Sequence, residues 1–243
     1  MITSANNTQV KNIIQLNQKA KARREQGLFV AEGRKMFGEA PKDWISRVYV
    51  TESLTADESL MKQVMELPEE KREIVADNVF RQMCDTRTPQ GILTVLKKPV
   101  WTVEDILKGD APLVMVLEDL QDPGNAGTIF RTGEGAGVSG VFLTKTCVDI
   151  TNPKVIRSTM GSVYRMPFLY VEDVVSLKAE LEQKGIRTFA AHLKGKNSYD
   201  QENYQGGTAF LIGNEGNGLT DEITALADHK IKIPMKGKVE SLN

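Results

Sequence analysis

From Leu113 to Pro234, short apolar runs alternate with stretches of helical periodicity, and this alternation narrows the fold more than any other feature of the chain. The runs are LVMVLE (113–118), GVFL (140–143), PFLYV (167–171), RTFAAHL (187–193), TAFLIG (208–213) and HKIKIP (229–234). Helical patterns separate most of them, VVSLKAELEQKG being the plainest. Strands that alternate with helices predict a mostly parallel sheet with helices on both faces. The front of the chain alternates on a smaller scale. A helix is expected over 9–25, then strands at LFVAEG, SRVYVTE, REIVA and QGILTVL with the helices EGRKMFGEA, DESLMKQVMELP and NVFRQMCD between them. KKPVWTVEDILKGDAP carries prolines near both ends and reads as a linker or linking helix. The predicted division is therefore a small α/β domain over 1–97, a linker over 98–112 and a larger α/β domain over 113–243.

Composition excludes several classes. Of 243 residues, 40% are hydrophobic and 26% charged, ordinary for a globular protein. Apolar runs such as Leu113–Leu117 are too short to span a bilayer, and MITSANNTQVKN lacks the apolar region of a signal peptide. Cys84 and Cys147 show no CxxC spacing, which argues against a zinc ribbon or redox pair. The expectation is a cytoplasmic protein with no membrane segment and no metal. Net charge is −1, yet Lys11, Lys19, Lys21, Arg23, Arg24, Arg34 and Lys35 face only Glu25 and Glu32 between Val10 and Lys35. That excess either meets a phosphate backbone or is a solvated helix face.

The glycine-dense stretch DLQDPGNAGTIFRTGEGAGVSG (119–140) follows the run LVMVL. Gly135, Gly137 and Gly140 spell GxGxxG, but a dinucleotide site needs that pattern after a strand and before a helix. Here it ends a helix and leads into GVFL. The helix itself should start with Asp122 as N-cap and Pro123 in its first turn. Ala126, Ile129, Phe130, Gly133 and Gly137 share one face that can lie flat on a sheet, while Thr128 and Arg131 point away. Asn125 falls in the first turn, at the C-terminal end of a strand, where open α/β sheets place ligands. A second strand–glycine stretch, AFLIGNEGNGL (209–219), holds Glu215 in its turn. A carboxylate there repels phosphate and suits hydroxyls or positive charge. IPMKGKVESLN (233–243) is a strand end followed by a basic loop and a polar terminus. His192 and His229 flank strands and read as structural.

In this order, DPGNAGTIFRTGEGAG, LIGNEGNGL and IPMKGKVESLN resemble the three motifs of the SpoU (TrmH) family of RNA ribose methyltransferases, in the SPOUT superfamily. LFVAEG with the basic start, and TRTPQGILTVL at 86–96, resemble the L30e-like, RNA-binding domain often attached to these enzymes. The resemblance implies S-adenosylmethionine bound in a C-terminal trefoil knot and methylation of a ribose 2′-hydroxyl, in ribosomal RNA or alternatively in tRNA. It implies a catalytic set of Asn125, Arg131, Glu215, Ser241 and Asn243, with Arg131 activating the hydroxyl. Gly213, Asn214, Ile233, Met235 and Leu242 would contact the cofactor, and Lys11, Arg23, Arg24 and Arg34 the RNA. It also implies a homodimer through the C-terminal domain. In the family an apolar helix follows the third motif, whereas the sequence here ends at Asn243, so the domain is expected to lack that helix. The competing reading is a catalytically silent RNA-binding or ribosome-assembly factor on the same scaffold.

Overall fold

A computed structural model describes residues 1–238. They divide into two compact units, Met1–Val100 with Asp149–Tyr164, and Trp101–Val148 with the chain from Arg165 onward.

In chain order the first unit contains α1 (Thr8–Gln18), α2 (Ala20–Gln26), β1 (Leu28–Glu32), α3 (Arg34–Glu39), β2 (Ile45–Thr51), α4 (Glu58–Met65), β3 (Arg72–Val75), α5 (Asp77–Met83) and β4 (Ile92–Lys97). The sheet runs β1-β4-β2-β3. Its β1–β4 and β4–β2 pairs are antiparallel and β2–β3 is parallel. Val10, Ile13 and Leu16 of α1 recur at helical spacing and bury against Val79, Phe80 and Met83 of α5 and against Val30, Tyr49 and Leu93 of the sheet.

The helix expected over 9–25 is two helices. Lys19 is extended (φ −121°, ψ 111°) and breaks the run. The break leaves carbonyls at the end of α1 without their helical donors, and Arg23 of α2 supplies them. Its Nη1 donates to the Leu16 and Asn17 carbonyls at 2.7 and 3.3 Å, and its Nε and Nη2 donate to Asp149 Oδ2 at 2.9 and 2.8 Å. At 3% exposure Arg23 is a buried structural cation, not a contact for RNA phosphate. The charge pattern misplaces it because a basic residue on a short helix ordinarily faces water.

The second stretch of chain contains α6 (Val103–Ile106), β5 (Leu113–Leu117), α7 (Pro123–Gly135), β6 (Gly140–Thr144), α8 (Pro153–Thr159), β7 (Phe168–Val171), α9 (Val174–Gln183), β8 (Arg187–Ala191), β9 (Asn197–Ser198), β10 (Thr208–Ile212), α10 (Asp221–Leu226) and β11 (His229–Lys232). Seven strands form one sheet in the order β7-β6-β5-β10-β8-β11-β9. Every neighbouring pair is parallel. On one face Leu177 and Leu181 of α9 and Ile223 of α10 cluster with Val114, Val116 and Phe142. Phe168, in register with Val141, lies on the opposite face because successive strand residues alternate. There it meets Phe130 of α7 edge-on, with ring centroids 5.7 Å apart. Helices thus cover both faces.

The α8 segment departs from the sequence division. Residues 149–164 fall in the predicted larger domain, yet they pack with the first unit. Asp149 holds Arg23, Arg157 pairs with Asp85 at 3.2 Å, and the Tyr164 hydroxyl donates to the Met36 carbonyl at 3.0 Å.

Helix α7 starts and stops as its residues demand. The Asp122 carboxylate accepts the Asn125 N–H at 2.7 Å, and Pro123 opens the helix. Gly137 ends the turn after it in the left-handed conformation (φ 77°). The GxGxxG stretch therefore closes a helix ahead of β6. Among the described residues no helix is long and apolar enough to cross a membrane.

Candidate active site

Strands β5 and β10 lie side by side at the centre of the sheet, with Leu117 in register with Ile212. From β5 the chain crosses by α7 to β6 on one side, and from β10 it crosses by α10 to β11 on the other. The two helices lie on opposite faces, so a crevice opens between the C-terminal ends of these strands. Open parallel sheets bind ligands at such a reversal.

Two loops form its walls, Glu118–Asp122 after β5 and Gly213–Thr220 after β10. The buried carboxylate of Glu118 accepts the N–H and hydroxyl of Thr220 at 2.8 and 2.7 Å. Thr220 Oγ1 in turn accepts the Ile223 N–H at 3.3 Å and caps α10. Asn214 closes the second loop on itself. Its N–H and carbonyl pair with Gly218 at 3.0 and 2.9 Å, and its Oδ1 accepts the N–H groups of Gly216 and Asn217 at 2.9 and 3.1 Å. Its Nδ2 donates to the Asp119 carbonyl at 2.8 Å, which ties that loop to the first.

The turn leaves no room at Gly213, where a Cβ would stand 2.1 Å from the Gly218 carbonyl carbon. Backbone cannot yield as a flexible side chain does. Gly213→Ala is expected to cost about 1–3 kcal/mol, read as a lower midpoint in thermal unfolding, whereas Gly216→Ala, facing open space, should be near neutral. Equal midpoints for the two variants would contradict the close approach.

Glu215 is the main cross-link. Its carboxylate accepts the N–H of Asp122 at 2.9 Å, the N–H of Gln121 at 3.2 Å and the Asn125 amide at 3.4 Å. Partial burial alone would push its pKa up. Donation by the Asp122, Gln121 and own backbone N–H groups and by Asn125 outweighs burial and holds the carboxyl below the ordinary glutamate value. A carboxylate beside the start of α7 also meets the positive end of the helix. Because the folded pKa is lowered, this contribution to stability is full above the unfolded value of about 4.3 and fades as pH falls through the folded one. Glu215→Gln should unfold at a lower temperature than wild type at pH 7, and the gap should shrink below about pH 4. A gap independent of pH would remove the charge from the explanation.

The first loop rests on Cys147. Its Sγ accepts the Leu120 N–H and donates to the Leu117 carbonyl, each at 3.3 Å. Burial pushes the thiol pKa up, so this cysteine is a packing group rather than a nucleophile. Gln121 Nε2 donates to the Thr146 carbonyl at 2.7 Å and to Asp119 Oδ1 at 2.8 Å. Three loops, after β5, β6 and β10, are thereby joined.

Of the residues singled out in the sequence, Asn125, Gly213, Asn214 and Glu215 come together here. Arg131 stands on the same helix as Asn125, about 9 Å further along the axis. It is exposed, and among the described residues its guanidinium has no hydrogen-bond or ion-pair partner. Ile233 is 49% exposed and Met235 is half-buried. Both follow β11, which β8 separates from β10 in the sheet, and among the described residues no hydrogen bond links them to the Glu215 cluster. Ser241, Leu242 and Asn243 lie outside the described residues. Lys11 and Arg24 are exposed, whereas Arg34 is paired with Asp57 at 2.5 Å. Sequence reasoning missed Glu118, Asp119, Gln121 and Cys147. An acid directly after a buried strand was the available signal for Glu118. Among the described residues no group of three His, Cys, Asp or Glu could hold a metal ion.

Fold and crevice define a ligand-binding α/β domain of the open-sheet type. Residues 112–243 match the SpoU rRNA Methylase family and residues 7–94 match the MRM3-like substrate binding domain. The chain belongs to the SpoU rRNA methylase family. It is 31% identical over 252 residues to an uncharacterized tRNA/rRNA methyltransferase of Synechocystis, covering 100% of this chain and 88% of that protein. It is 31% identical over 242 residues to the 23S rRNA (guanosine(2553)-2′-O)-methyltransferase RlmP of Bacillus subtilis, covering 100% and 93%. A crystal structure of an AdoMet-bound rRNA methyltransferase from Sinorhizobium meliloti matches with a TM-score of 0.84 at 27% identity, covering 100% of this chain and 91% of that one.

Proposed function

We propose that this chain methylates a ribose 2′-hydroxyl in ribosomal RNA with S-adenosylmethionine as donor. The observation that carries this reading is the Glu215 carboxylate bonded across the crevice to Gln121, Asp122 and Asn125. It joins two of the three sequence stretches on which the family resemblance rests, at the reversal point of the sheet.

The donor set fits the cofactor. An anionic wall is unsuited to a dinucleotide phosphate and suited to a positively charged sulfur and to hydroxyls. S-adenosylmethionine, when bound, supplies a methyl group activated by that positive sulfur. Gly213, Asn214, Ile233, Met235 and Leu242 would hold it, the backbone at Gly213 and Asn214 being set by the closed turn. Glu215 and Asn125 keep the two walls in register. Such positioning can supply about 7–11 kcal/mol of a transfer barrier. Arg131 clamps a phosphate of the RNA and orients the ribose hydroxyl. Its guanidinium stays protonated, with a pKa above about 12, so the hydroxyl proton leaves to the clamped phosphate oxygen. Ser241 and Asn243 complete the polar set. The same reading carries an RNA-binding domain over 1–97, a trefoil knot within 113–243, a homodimer through that domain and action in the cytoplasm.

Calorimetry with S-adenosylmethionine, followed by transfer of labelled methyl to rRNA and tRNA from cells lacking this protein, tests the proposal. Nucleoside digestion should yield a 2′-O-methylated nucleoside from rRNA. Label on a base, label on tRNA alone, or no cofactor binding would each overturn part of it, the last favouring a silent RNA-binding factor.

A further inference from the structure

The first unit contains a cleft of about 670 Å³, within the range of small-ligand sites. It opens where the turn into α3, the end of β2, the start of α5 and the loop 85–91 meet. The loop is held at both ends. Glu32, the last residue of β1, accepts the Asp85 N–H at 2.5 Å and the Thr86 hydroxyl at 2.6 Å. Gln90 Oε1 accepts the Arg34 N–H at 2.9 Å, and the Gly91 carbonyl accepts the Thr51 N–H at 2.9 Å. This anchoring carries Arg87 to the cleft wall, opposite Arg81 of α5.

The charges are unevenly satisfied. Arg34 is neutralised by Asp57 at 2.5 Å. Among the described residues Arg81 and Arg87 have no hydrogen-bond or ion-pair partner, and both are exposed. Beside them lie the buried Leu54 and Phe80. Asp77, which accepts the Ser53 hydroxyl at 2.5 Å, adds acceptor oxygens. Two free guanidiniums call for an anion. An apolar wall and planar cations suit a flat ring, and a carboxylate suits base N–H groups or sugar hydroxyls. A nucleotide of RNA presents all three, but only when its base is unpaired and can turn into a concave site.

We propose that this cleft receives one unpaired nucleotide of the substrate RNA, its phosphate on Arg81 and Arg87 and its base against Leu54 and Phe80. The proposal rests on the RNA-methyltransferase reading and adds where, and in what state, the front unit grips its substrate.

The test uses the whole chain carrying Arg81→Gln and Arg87→Gln, with Lys62→Gln on α4 as a charge-matched control. Filter binding is measured, without cofactor, to a twelve-residue oligouridylate and to a duplex RNA of equal length. The double variant should bind the single strand at least tenfold more weakly. Its slope of log affinity against log salt should be shallower by about 0.7 per lost phosphate contact. Duplex binding and the control should be unchanged. In methyl transfer, KM for rRNA should rise with kcat unaltered. Unchanged single-strand binding, or equal losses on single strand and duplex, would overturn the cleft as a nucleotide site. Arginine-dependent single-strand binding in a chain that transfers no methyl group would support the cleft while removing the proposed function.

Discussion

Arg131→Ala should lower the rate of methyl transfer to rRNA by about 10²–10³-fold, the usual loss when one donor aimed at a reacting oxygen is removed. The side chain is free to act in this way. It projects from α7 with no protein partner among the described residues, so its removal breaks no internal bond and the thermal midpoint should hold. Affinity for S-adenosylmethionine should also hold, because the residues assigned to the cofactor lie on the loops after β10 and β11. Arg131→Lys should recover little. An ammonium keeps the charge but loses the planar fork that can grip a phosphate and orient a hydroxyl together. Single-turnover transfer of labelled methyl, with cofactor binding by calorimetry, measures both. Near-normal transfer by the alanine variant would remove Arg131 from the reaction.

Arg23→Ala should destabilise the first unit by about 3–5 kcal/mol, the cost of breaking a buried ion pair from one side. The substitution strands three acceptors at once, namely the Leu16 and Asn17 carbonyls and Asp149 Oδ2. Asp149 remains charged, with its other oxygen engaged by the Thr151 N–H and hydroxyl at 2.9 and 2.5 Å. Lysine cannot rescue the site fully, since one ammonium does not reproduce donation to two carbonyls and a carboxylate from a planar group. Urea unfolding followed by Trp44, which stacks edge-on with Tyr164 at 6.1 Å in this unit, reads the loss. A change below about 1 kcal/mol, the scale of an exposed pair, would mean that Arg23 behaves as a surface cation.

These two arginines show what a sequence discloses and what it hides. Arg131 was legible because a helix with a readable start, Asp122-Pro123, sets which residues face the sheet and which face away. Arg23 was not, because its partners are a carbonyl pair exposed by a helix break and an aspartate 126 positions away. The break at Lys19 involves neither glycine nor proline, so no local signal marked it. The strands themselves were plain from apolar runs bounded by turn residues. Their order was not, since parallel strands buried on both faces look alike. The packing of 149–164 with the first unit is equally non-local. In the crevice, Glu215 and Asn125 stood out as polar groups inside glycine-rich turns, while Glu118 and Cys147 read as the ordinary edges of strands.

The position of β10 has a consequence for how the protein is made. Sixth of the seven strands to leave the ribosome, it nonetheless fills the gap between β5 and β8. Until Thr208–Ile212 is synthesised, both of those strands keep an unpaired inner edge, the kind of surface on which nascent chains aggregate. Pairing residue 208 with residue 113 also demands closing a long loop late, which slows assembly. The segment that closes the sheet leads directly into the Glu215 turn, so translation delivers the keystone and the reactive crevice in one stroke.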